Sequence, residues 1–459
     1  MSHPPVIQSP GLATKIKDRL IQQALERRAQ SIDADELRRN SPPPIPRIPR
    51  ESRTTANIPD AWSRFDEHPG YQRYRLIRDG ARKVGIANPF FQVQDGVSGA
   101  TALVEGKDCL NFSGYNYLGL CGHPEVDQAA IDAIRRCGTS VSASRIVSGE
   151  RQIHRDLEKQ LATLYGADDC LAMVSGHATT VTTLGYLFGP RDLIVHDAFI
   201  HNCAVEGARL SGAKRLSFPH NDWQALDDIL ERSRNEHERV CVIIEGLYSM
   251  DGDFPDLPRF IEVKKRHRTF LMVDEAHSLG VMGQNGLGIS EHFGTDPADV
   301  DIWMGTLSKA LAGCGGYVAG EQALIDNLRH AAPGFVYSVG MSPPVAAASL
   351  AALEIMLREP KRVKRLHEVG AYFLSKARQA GIDTGLSTGF SIIPAITGSS
   401  LRAARLSHAM RNHGINVQPI LYPAVSEKAA RLRFFMCSEH TEEQIDRTLQ
   451  SLALEWGRI

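Results

Sequence analysis

No two of the chain's 8 cysteines stand at a C-x-x-C spacing; they are scattered from Cys109 to Cys437. That argues against a zinc site or a disulfide framework and for reduced thiols in a cytoplasmic protein. Charge of one sign is also lacking: 52 Lys and Arg stand against 53 Asp and Glu, a formal net charge of −1. The balance gives no electrostatic case for a nucleic acid or a membrane surface as partner. No apolar run approaches the ~18 residues of a membrane span. The start, Met1-Ser2-His3-Pro4-Pro5, lacks the basic-then-apolar pattern of a secretory signal, and no repeat of fixed period is present. What remains is an ordinary globular composition, 42% hydrophobic over 459 residues, long enough for more than one domain.

Two stretches carry chemistry. Thr306-Leu307-Ser308-Lys309-Ala310 follows the apolar run Ile302-Trp303-Met304 and precedes Gly313-Cys314-Gly315-Gly316-Tyr317. Burial beside an apolar strand favours a deprotonated lysine, the form that attacks a carbonyl to make a Schiff base. The two hydroxyls can hydrogen-bond a phosphate, and the glycines let backbone approach it. Alone, the pattern reads equally as a strand, a turn and a surface lysine. The second stretch is Phe270-Leu271-Met272-Val273, a short buried strand, with Asp274-Glu275-Ala276-His277 at its carboxyl end. Ligands of open α/β sheets bind there, and an acid so placed can keep a ring nitrogen protonated. Lys309 stands 35 residues beyond Asp274, about one strand–helix–strand unit.

Taken together, Asp274-Glu275-Ala276-His277 and Thr306-Leu307-Ser308-Lys309 resemble the pyridoxal-phosphate site of the α-oxoamine synthases. That family includes 8-amino-7-oxononanoate synthase, 2-amino-3-ketobutyrate CoA ligase, 5-aminolevulinate synthase and serine palmitoyltransferase. Further stretches match in the family's order from about Gly85 to Leu454. Ser113-Gly114-Tyr115-Asn116-Tyr117-Leu118-Gly119-Leu120 resembles its asparagine-tyrosine-leucine-glycine signature, which implies Asn116 beside the substrate carboxylate; otherwise Asn116 is a loop residue capping a helix from His123. Ser175-Gly176-His177 ends a buried strand and opens a helix, whose free amides form an anion site. The resemblance places the cofactor phosphate there and His177 against the cofactor. His201 matches the histidine that stacks on the pyridine ring, although Asn202 and Cys203 replace the usual alanine-serine. Ser249, in Glu245-Gly246-Leu247-Tyr248-Ser249-Met250-Asp251-Gly252, matches a cofactor-contacting serine. Ser338 matches a residue reaching the neighbouring subunit's phosphate, or else caps a helix. Arg433 matches the arginine that grips the substrate carboxylate, with Arg431 on the same strand face as its rival. Arg145 reads equally as functional or as a salt-bridged structural residue. Leu421 stands where some biotin-pathway members have arginine.

The resemblance implies a fold-type-I α/β protein: a large domain with a mostly parallel seven-stranded sheet, plus a smaller α+β C-terminal domain. The parts expected are an N-terminal extension over 1–84, an arm over 85–150, the large domain over 151–345 and the small domain over 346–459. Lys309 would hold pyridoxal 5′-phosphate and then act as general base. Asp274, its pKa lowered by the cation beside it, would keep the ring protonated. His277 and Ser249 would bond the phenolic oxygen, and Thr306 the phosphate. The reaction implied joins a small amino acid (Gly, Ala or Ser) to an acyl thioester of coenzyme A or an acyl carrier protein. It releases the amino-acid carboxylate and leaves an α-amino ketone, in a cytoplasmic homodimer with shared sites. A glycine C-acetyltransferase and a non-catalytic subunit are the alternatives. In the extension, residues 16–39 read as a charged amphipathic helix and Ser41–Pro49 as a polyproline-like linker. These are either a partly ordered tail or a docking segment. Asp60 to Arg82 reads as helical again.

Overall fold

A computed structural model describes Gln23 and residues 58–83 and 88–459. The expected helix over 16–39 and the linker at Ser41–Pro49 lie outside the described residues. The chain divides into two compact units, residues 1–77 and 78–459. In the first, the helix expected from Asp60 is broken into short 3-10 turns, Asp60–Ser63 and Phe65–Glu67. The α-helix Pro69–Lys83 begins only at the proline. Proline disfavours α geometry in the residue before it and suits a helix's first position, so it sets this start.

The larger unit is built around a seven-stranded sheet. From edge to edge it runs Asp169–Met173, Gly316–Gly320, Ile302–Thr306, Phe270–Asp274, Val240–Glu245, Leu193–Asp197 and Lys214–Phe218. Only Gly316–Gly320 is antiparallel to its neighbours. Most strands are near-continuous apolar runs because both faces are covered. Val240, Val242 and Ile244 enter one core while Cys241 and Ile243 enter the other, the alternation a pleated strand imposes. Parallel register sets Glu245 beside Asp274, and Asp274 beside Met304, at one end of the sheet.

A hairpin turns at Glu105-Gly106: Thr101–Val104 pairs with Lys107–Asn111. The β-compatible run Ile415 to Ile420 is divided between two strands. Ile415–Asn416 joins the hairpin's sheet in parallel with Lys107–Asn111. Gln418–Ile420 pairs with Arg431–Phe435, which also pairs with Ile392–Ile396. The chain therefore changes partners at Val417 and ties the N-terminal arm to the C-terminal region. Among the described residues no helix is long and apolar enough to cross a membrane.

Candidate active site

The carboxyl ends of the central strands enclose a cavity of roughly 280 Å³. Lys309, Asp274, His277, His201, Gly176, His177 and Thr306 all line it, so seven side chains or backbones nominated from sequence meet in one place. Lys309 follows the strand Ile302–Thr306 in a tight turn. Leu307 N–H donates to the Gly315 carbonyl at 2.9 Å, Gly313 N–H to Leu307 at 2.8 Å, and Thr306 Oγ1 to Gly315 at 2.9 Å. Burial brings the Lys309 amine down to about 8, although Asp274 and Glu245 pull the other way. Its Nζ lies 5.9 Å from the centre of the Tyr115 ring.

Asp274 ends its strand buried. Oδ1 accepts the Ala276 amide at 2.9 Å, and Oδ2 has no donor among the described residues. The lowered pKa expected for this acid is corrected here. Burial outweighs the Lys309 cation, and the carboxyl sits above the ordinary range. His277 is held well below its ordinary value, first by burial and then by Lys309, and is therefore neutral. Its Nδ1 meets the Tyr117 hydroxyl at 2.7 Å.

Glu245 is a member of the site that its sequence motif did not single out. Oε1 accepts the His201 backbone N–H at 2.6 Å and Oε2 the Ser249 N–H at 3.4 Å. Burial, then the neighbouring Asp274, raise its pKa well above the carboxylate range. Its place at a strand end beside Glu-Gly was the available signal. Tyr115 and Tyr117 were likewise visible only as motif letters.

Four nominated residues, Asn116, Ser249, Ser338 and Arg433, lie outside the cavity lining. Asn116 holds its own turn: Oδ1 accepts the Leu120 and Cys121 amides at 2.8 and 3.1 Å, and Nδ2 donates to the Ser98 carbonyl at 3.1 Å. The helix Pro124–Cys137 is capped by His123 instead. Ser338 Oγ donates to Val339 O at 3.2 Å, and the helix Pro343–Arg358 begins after Ser342. Arg433 Nη1 donates to Ser249 O at 2.9 Å, its guanidinium lies 4.6 Å over the Phe435 ring, and its buried Nε has no partner among the described residues. Its rival Arg431 is committed to an ion pair with Asp251 at 2.7 Å. Arg145 is a buried structural residue, paired with Glu158 and, at 2.6 Å, with Glu150.

A family model described as aminotransferase class I and II matches residues 107–452. The 8-amino-7-oxononanoate synthase of Symbiobacterium thermophilum is 36% identical over 375 residues, 82% of this chain and 95% of that protein. The 4-hydroxy-2,2'-bipyrrole-5-methanol synthase PigH of Serratia sp. is 36% identical over 354 residues, 76% of this chain and 54% of that protein. Among solved structures, Sphingomonas wittichii serine palmitoyltransferase superposes with a TM-score of 0.81 at 27% identity, covering 85% of this chain and 98% of that one. A high-resolution serine palmitoyltransferase with its PLP internal aldimine gives 0.81 at 26%, with the same coverage.

Fold and site together define a pyridoxal-phosphate-dependent enzyme of fold type I. The chain belongs to the aminotransferase class I and II family and, within it, to the α-oxoamine synthases. It is an acyltransferase of the condensing kind.

The residues present fit that cofactor. The Gly176 and His177 amides open the helix Gly176–Leu187 with no acceptor among the described residues, next to the Thr306 and Ser308 hydroxyls. Such a helix start binds phosphate. The cradle is backbone-tight: a Cβ on Gly316 would sit 2.5 Å from Gly176 Cα, and one on Gly176 2.8 Å from Thr306 Oγ1. An amine at Lys309 and an unpaired acid oxygen on Asp274 complete the donor set.

Proposed function

We propose that this enzyme condenses glycine, alanine or serine with an acyl thioester, with loss of the amino-acid carboxylate, to give an α-amino ketone for natural-product or sphingoid-type biosynthesis. The observation that carries the reading is the pairing of a lysine amine lowered to about 8 with a buried acid in one cavity. Pyridoxal phosphate, when bound, supplies an electron sink for the negative charge that develops at the substrate Cα. Lys309 Nζ would hold the cofactor and, when free, would take the substrate Cα proton. Asp274 Oδ2 keeps the proton on the ring nitrogen. The helix start at Gly176 and His177, with Thr306, holds the phosphate. His277 meets the phenolic oxygen, and Ser249 assists it. Arg433 receives the substrate carboxylate through its unpartnered edge. His201 stacks on the ring and donates to the substrate. Asn116 acts indirectly by holding the turn that carries Tyr115 and Tyr117. Ser338 reaches the phosphate of a second subunit, which makes the working unit a homodimer.

The acyl donor is coenzyme A-bound or carrier-bound, and we favour the carrier protein. The helix Pro69–Lys83 carries five cations, Arg73, Arg75, Arg78, Arg82 and Lys83, against the single acid Asp79. Arg75, Arg78 and Arg82 share a face, an electrostatic match for an acidic carrier. A thioester donor and 8 free cysteines support a cytoplasmic setting. The test is a panel of amino acids against acetyl and long-chain thioesters on both carriers, read by product mass. Product from glycine and acetyl-CoA alone would instead make it a glycine C-acetyltransferase. A purified protein without a visible cofactor band that Lys309→Ala removes would overturn the reading.

A further inference from the structure

We propose that Cys203 is a positioning residue whose thiol, together with the start of the helix it occupies, fixes the His201 ring in the tautomer that carries its proton on Nε2. This rests on the role given to His201 above. His201 caps the helix Asn202–Ser211 with its own ring. Nδ1 accepts the Cys203 backbone N–H at 3.3 Å, and Cys203 Sγ lies 2.9 Å from the same nitrogen. A backbone amide can only donate, so at 3.3 Å it favours a lone pair on Nδ1; the shorter thiol contact carries most of that preference, and with both in place the ring proton sits on the other nitrogen. The thiol acts in the same sense as long as it keeps its proton. Burial pushes it up to about 12, so it does. The other end of the residue is also held, by the His201 N–H to Glu245 Oε1 hydrogen bond of 2.6 Å. Nε2 has no partner among the described residues, and the ring lines the cavity.

The charges around the ring act on it from every side. Asp274 favours the imidazolium; burial, Lys309, His177 and Arg433 oppose it, and the balance lowers its pKa. The positive end of the helix at Nδ1 opposes it as well. The result is a neutral ring offering one N–H to the cavity. It can hold a substrate oxygen without setting a second cation beside Lys309, which would make the lysine harder to protonate when it takes up the Cα proton. Cys203 is only 2% exposed but also lines the cavity, so Cys203→Ala changes both the contact to Nδ1 and the cavity wall, and the tautomer signal rather than activity alone reads the first.

The experiment uses ¹⁵N-histidine-labelled holoenzyme, with His201→Asn identifying the His201 resonances. In the wild type, Nδ1 is expected in the unprotonated range and Nε2 in the protonated range from about pH 6 to about pH 9. Cys203→Ala is expected to mix the tautomers and to lower kcat/KM for the amino acid about tenfold, in the range seen when a group orienting a functional histidine is removed. Cys203→Ser, which keeps a donor of similar size, is expected to restore the Nε2–H signal and most of the loss. An unchanged tautomer in Cys203→Ala, or a Cys203→Ser enzyme no better than Cys203→Ala, overturns the proposal. If His201→Asn itself turns over normally, the role of His201 fails, and that result is distinct because it does not depend on the tautomer signal.

Discussion

Arg433 Nη1 donates to the carbonyl of Ser249 at 2.9 Å, so the residue nominated for the substrate carboxylate and the residue nominated for the cofactor's phenolic oxygen are directly bonded. Two residues earlier on the same strand, Arg431 spends its guanidinium on Asp251 and on the Met250 and Ala429 carbonyls. The two arginines should therefore separate by experiment. Arg433→Ala is expected to raise the amino-acid KM by roughly tenfold or more, since a charge-assisted hydrogen bond contributes about 1.5–3 kcal/mol, with a small change in Tm. Arg431→Ala is expected to cost about 3–5 kcal/mol of stability, because it strands Asp251 in the interior. Steady-state kinetics and thermal melts of both variants check this; the reverse assignment of effects would exchange their roles.

The Lys309 amine titrates near 8 because burial outweighs two nearby acids. In protein stripped of cofactor, acylation of Lys309 by an amine reagent should reach half its limiting rate near pH 8, well below the ordinary 10.5 of a lysine. Asp274→Asn removes an influence that raises this value, so the midpoint should move lower still. Peptide mass spectrometry of labelling against pH reads both; an upward shift in the variant would contradict the proximity of the two groups.

His220 lies between Asp197 at 2.9 Å and Asp253 at 2.8 Å, stacked on Phe199. The two acids outweigh burial and raise it to about 9 from an ordinary 6.5. A raised histidine stabilises the folded state fully below the unfolded value, near pH 6.5, and the gain drains away as pH climbs through about 9. Wild-type Tm should fall over that window. His220→Gln should melt lower at pH 7 and show a flatter dependence; parallel curves for the two proteins would rule out this source.

Gly316 faces Gly176 so closely that an added Cβ would meet its Cα at 2.5 Å. Backbone cannot yield as a side-chain tip does, so Gly316→Ala should push the helix start away from the Thr306 hydroxyl. Cofactor binding should weaken by roughly tenfold or more, which corresponds to about 1.4 kcal/mol. Titration of stripped protein with pyridoxal phosphate, followed by the visible band, measures it; undiminished affinity would remove the phosphate from this cradle.

Much of the large sheet was legible because its strands are apolar runs with chemistry at their ends: Phe270–Asp274 and Ile302–Thr306 lie where Asp274 and Lys309 implied. The mostly parallel seven-stranded sheet also matches the fold the motifs implied. Residues whose role depends on a local contact were not legible. Asn116 looked like a ligand for a carboxylate, yet its amide oxygen is used on its own turn and its amide nitrogen on the Ser98 carbonyl. The one local signal of Glu245 was its place at a strand end before Gly246; what makes it part of the site is the parallel register with Asp274. The change of partner at Val417 leaves no mark in the β-compatible run Ile415–Ile420. Asp274 titrates against expectation because the lysine beside it was visible in the chain and the depth of its burial was not.

The segment from Ser249 to Asp253 is gripped from both sides. Arg431 holds Asp251, Thr388 donates through Oγ1 to the Gly252 carbonyl at 2.8 Å, and His220 holds Asp253. Gly252, at φ +72°, leaves no room for a methyl against the Ile392 carbonyl. The segment is thus a tie rod between the large sheet and the three-stranded sheet, with no slack in it. A swing of the smaller sheet would be transmitted rigidly to Ser249, so that a carboxylate arriving at Arg433 would be felt at the far edge of the ring without any intervening loop having to rearrange.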